Sequence, residues 1–146
     1  MDKSAIKQLL TNYSPLLQAR NALTMLGNAG DIVDTGKYAQ EQGIKRFPKT
    51  TQATREVDAY RHLVWQALLA KKYGKDVAEL AGNFHENPFI PFVGGMGQPK
   101  DQQQMDLYNN MLGRDLANMS EEEIMRMAEE LIKSGQAKLD SSPGSY

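Results

Sequence analysis

A chain of 146 residues has the size of one domain and is long enough to bury a core. Its 17 basic and 18 acidic residues nearly cancel, and no Lys/Arg stripe with interleaved aromatic residues offers a nucleic-acid surface. Without cysteine, a disulfide scaffold and thiolate metal sites are excluded, and no apolar run approaches the ~18 residues of a membrane span.

The N-terminal MDKSAIKQLL has no long apolar stretch. No signal peptide is expected, so the protein is made in the cytoplasm and needs a secretion system or a virion to act elsewhere. Helix-forming residues dominate from end to end, and no segment alternates like a strand. A short helix is expected over 2–12, then a second capped by Ser14, with Pro15 in its first turn and Leu16, Ala19, Leu23 and Leu26 on one face. Gly27 and Gly30 close it. A weaker helix follows over 31–43, and KRFPKTTQ (45–52) reads as a loop. The long helix over 53–73 ends at Gly74, and another runs over 75–86. NPFIPFVGGMGQPK (87–100) is a loop, whose FIPFV (89–93) is expected to fold back on the core. Helices over 101–117 and 121–134 finish the fold, the last with Ser120 and Glu123 as a capping box. The expected product is all-α: a single compact domain over 1–134, about six helices, a polar cleft between three of them, and a flexible tail at 135–146.

The functional clue is DAYRHLVWQ (58–66). At helical spacing, Asp58, Arg61 and His62 fall within the apolar sector of Val57, Val64, Trp65, Leu68 and Leu69. Asp58 and His62 stand four residues apart, so the carboxylate can hold one imidazole nitrogen. Buried charges are costly unless met. Helix 101–117 offers partners: Asn109 lies in its stripe of Met105, Tyr108, Leu112 and Leu116, with Asp106, Asn110 and Gly113 nearby. Arg114 falls opposite the stripe, or near the helix end where it can turn inward. His85 and Glu86 come from a third helix.

The order R-H-x-x-W, then H-E, then M-D-L-Y-N-N-x-x-G-R resembles an uncharacterised bacterial and phage domain family. Members of that family are similar to modules at the C-termini of polymorphic toxins. The matching residues, all within 58–114, are Arg61, His62, Trp65, His85, Glu86, Met105, Asp106, Leu107, Asn109, Asn110, Gly113 and Arg114. The resemblance implies a shared polar site and an effector-like enzyme acting on a small or envelope-derived substrate.

Three readings follow. In the metal-free one, His62 and His85 do acid–base work, Asp58, Glu86 and Asp106 polarise them, and Arg61, Trp65, Asn109, Asn110 and Arg114 bind substrate, with water as nucleophile. In the second, His62, His85 and Asp106 hold a divalent metal. In the third, the centre is a buried structural network in a phage or secretion-associated assembly protein. The resemblance tips the balance toward a hydrolase site.

Overall fold

The structure is a computed structural model that describes residues 3–48, 55–86 and 100–139. Six helices carry the chain: α1 Lys3–Gly27, α2 Ala29–Arg46, α3 Arg55–Tyr73, α4 Lys75–Glu86, α5 Lys100–Arg114 and α6 Glu121–Lys133. No strand occurs among the described residues, and the all-α expectation holds. The FIPFV stretch lies outside the described residues.

α3 is the central element, packed by α2, α4, α5 and α6. Every residue from His62 to Ala70 is buried, which only a helix enclosed on several sides requires. Gly74 adopts φ +93° between α3 and α4, a left-handed conformation that glycine enters without a Cβ penalty. The chain thereby folds back, and α4 lays Val77, Ala78 and Ala81 against α3. The small side chains of that face let α4 come close.

α5 approaches α3 at Gly113, where an added Cβ would collide with the Leu63 carbonyl oxygen. The mid-helix glycine is thus explained by backbone contact, whose benefit exceeds its propensity cost of about 1 kcal/mol. α6 begins as expected at Ser120, whose side chain accepts the Glu123 N–H at 3.2 Å.

Two expectations at the N-terminal end are revised. α1 is one continuous helix through Pro15, because a proline there removes one N–H bond from a segment otherwise rich in Ala, Leu, Gln and Lys. Leu16, Leu23 and Leu26 face solvent at 70%, 71% and 66% exposure, since α1 meets chiefly α4 and only marginally α2. α2 likewise runs through Gly30 and Gly43 to Arg46, beyond the expected boundary. Its Gly43 is a contact position, 3.1 Å from a Tyr60 ring carbon if given a Cβ. Of the segment expected as a tail, Ala137 is buried and Leu139 packs on the core.

Candidate active site: a sealed network behind an open cleft

α3 and α5 run in the same sense and present matched polar rows. Asp58, His62 and Gln66 recur at four-residue intervals on α3, and Asp106, Asn110 and Arg114 do so on α5. The rows interlock. His62 Nδ1 lies 2.9 Å from Asn110 Oδ1, and Arg114 Nη1–H donates to Gln66 Oε1 at 2.8 Å. His62 Nε2 stands 3.5 Å from Asp106 Oδ1 and 3.7 Å from Asp58 Oδ1.

An amide oxygen against Nδ1 makes that nitrogen the N–H donor, so Nε2 is the unprotonated one. Arg61 Nη2 faces it at 3.5 Å while donating to Asp58 Oδ1 at 2.8 Å. Asp58 therefore holds the guanidinium, rather than the imidazole as its spacing suggested. His62 is 1% exposed, and burial pushes its pKa down to about 4, opposed by Asp58 and helped by Arg61. At neutral pH it is an uncharged imidazole.

Other residues sit differently from expectation. Asn109 is buried but turns to the C-terminal segment, donating from Nδ2 to the Lys138 carbonyl at 2.8 Å and accepting the Lys138 N–H at 2.9 Å. Arg114 does turn inward, but it serves Gln66, and burial lowers its pKa. The Glu86 side chain lies outside the described residues. Sequence reasoning missed Gln66 and Gly82. Gln66 is fully buried, and its Nε2 and Asn110 Nδ2 are orphan donors, each 3.0 Å from where a Gly82 Cβ would be. The missed signal was a glutamine four residues after His62, inside an otherwise apolar run.

For a cation, the three groups among the described residues close enough to share one are Asp58, His62 and Asp106, whose ligand atoms lie within 4.8 Å of one another. His85, expected as a ligand beside His62 and Asp106, is not in this group. The Arg61 guanidinium already brings positive charge to Asp58, and a metal would have to displace it.

His85 occupies the open side. It is exposed, with its ring edge-on to Trp65 at 5.3 Å between centroids and 6.1 Å from the His62 ring. Burial of its inner face, then Arg61, lowers its pKa, so it too is neutral near pH 7. The Trp65 indole is fixed by Nε1–H donating to the Ile32 carbonyl at 2.9 Å. Arg61, Trp65, His85 and the α2 residues Gly36, Lys37 and Gln40 line a cavity of about 180 Å³. The centre thus has two layers: His62, Asp106 and Asn110 sealed within, and Arg61 and His85 at the edge of a cleft.

A family model described as "Domain of unknown function (DUF6973)" matches residues 23–142. The chain belongs to this family. No curated protein and no solved structure matches it. The DUF6973 match takes in α2 to α6 and with them every residue of both layers.

Proposed function

We propose that this DUF6973 domain is a small effector-like hydrolase of bacterial or phage origin, and that its working groups are those of the polar centre that reach the cleft. One observation carries the reading: an accessible His85 and the Asp58-anchored Arg61 line the same cavity. His85 accepts a proton from an attacking water, and Arg61 holds the anionic group or the negative charge that develops on the scissile centre. Asp58 keeps the guanidinium in place. His62, Asp106 and Asn110 act behind them as positioning groups, since a 1% exposed imidazole has no room for a substrate. This shifts the acid–base role from the pair of histidines to His85. The arrangement suits acyl or phosphoryl transfer, and the toxin-like resemblance of the motif supports an envelope-derived or other small substrate.

Expression in a bacterial host, targeted in turn to the cytoplasm and the envelope, tests the reading. Wild type arrests growth in one of them, and His85→Gln and Arg61→Gln do not, at equal levels of folded protein. Arrest that persists in both variants, or no arrest by wild type in either compartment, contradicts it.

A second reading has its own observation. The sealed layer satisfies most of its polar groups internally, as a structural network in an assembly protein does. It leaves the exposed His85 without a purpose.

A further inference from the structure

The cleft continues past His85. Met25, Leu26, Ala29, Ala81 and Phe84 line a second, open cavity of about 220 Å³, which shares Ile32, Val33, Trp65 and His85 with the first. The two are lobes of one groove, floored by the Trp65 indole, with opposite chemistry at their ends. Among the described residues, one end carries Lys37, Gln40 and Arg61, and the other carries apolar side chains besides His85. The apolar lobe holds on the order of seven heavy atoms, at a water's share of ~30 Å³ each. That is room for a short acyl chain.

We infer that the groove binds a single-chain amphiphile, with an anionic head (carboxylate or phosphate) at Arg61 and Lys37 and an acyl tail in the lobe of Leu26, Ala29 and Phe84. Charge places the head: among the described residues, Arg61 and Lys37 are the cations lining the groove, and both are at the same end. Desolvation places the tail, because among the described residues lining the apolar lobe His85 is the one side chain able to receive an anion. The Trp65 N–H is already given to Ile32, so the indole offers the tail an apolar face. His85 then lies where head and tail join, which is where an ester bond of such a ligand would sit. The inference rests on the cleft being the working face and supplies its substrate class.

Trp65 is the chain's single tryptophan and lines both lobes, so its fluorescence reads occupancy directly. The full chain is titrated below micelle concentrations with octyl phosphate and octanoate, with octanol, with inorganic phosphate, and separately with anionic phospholipid vesicles. The two anionic amphiphiles are expected to shift the emission saturably, at least tenfold tighter than octanol or phosphate alone. Ala29→Phe, at an exposed position that opens into the apolar lobe, abolishes that advantage over phosphate. Lys37→Ala, which leaves the polar centre intact, reduces the advantage over octanol. Equal binding of octanol and octyl phosphate, an unaffected Ala29→Phe, or a response to vesicles alone overturns the inference; the last means that a bilayer surface is the ligand. Amphiphile binding without growth arrest preserves the inference and removes hydrolysis. Growth arrest without amphiphile binding does the reverse.

Discussion

His62 Nδ1 and Asn110 Oδ1 meet at 2.9 Å across the α3–α5 interface, and that one contact sets the tautomer of the buried histidine. With Nδ1 as donor, Nε2 is left to accept from Arg61, whose other duty is the ion pair with Asp58. Removal of the Asn110 carboxamide takes away that buried hydrogen bond and leaves a void beside the imidazole. Asn110→Ala is expected to lose about 2–3 kcal/mol in urea unfolding. A loss under 0.5 kcal/mol would mean that the contact does not order His62.

The protonation of His62 gives stability a definite pH dependence. Its folded pKa, about 4, is below the ~6.5 of an unfolded chain, so the unfolded state takes up the proton first. The stabilisation from keeping it neutral is complete above about pH 6.5 and is lost as pH falls toward 4. His85, lowered for the same reason, adds in the same direction. Unfolding free energy should drop by up to about 3 kcal/mol over that window, since each pH unit between the two values is worth about 1.36 kcal/mol. His62→Gln should flatten most of the slope, and an equal slope in the variant would contradict the assignment.

Two glycines inside helices should respond oppositely to alanine. At Gly113 the new Cβ meets the Leu63 backbone, which cannot rotate away, so Gly113→Ala is expected to lose about 3 kcal/mol, at the upper end of overpacking costs. At Gly30 nothing lies within 4 Å, and Gly30→Ala should gain about 0.5–1 kcal/mol from helix propensity. Thermal melts of the two variants beside wild type check both signs.

Asn109 predicts a local effect. Its side chain makes both hydrogen bonds to the Lys138 backbone, while Ala137 fills a buried place beside them. Asn109→Ala should accelerate hydrogen exchange at residues 136–139 by about tenfold, the worth of roughly 1.4 kcal/mol. Unchanged exchange there would show that Ala137 alone secures the segment.

Much of the site was legible in α3 and α5 because four-residue spacing places side chains on one face whatever surrounds them. Asp58 and His62 could be paired on that ground, and Asp106 and Asn110 placed beside the apolar stripe of α5. Spacing does not say which partner wins: Arg61 takes Asp58, and Asn109, one residue from Asn110, turns to the C-terminal segment. Gln66 was hidden among apolar neighbours, where periodicity reads a polar residue as noise. Leu16, Leu23 and Leu26 misled for the converse reason. An apolar row marks a face able to bury itself, and only packing decides whether a neighbour arrives.

On the proposed reading, the polar centre divides into a buried histidine that holds the structure and an exposed one that works on a ligand. Urea unfolding at pH 7.5 of His62→Gln beside His85→Gln tests that division most directly. His62→Gln is expected to lose about 2 kcal/mol or more, as the partner of a fully buried amide. His85→Gln should stay within about 0.5 kcal/mol of wild type, as exposed positions do. Equal losses in the two variants would contradict the account, because His85 would then be part of the structural network.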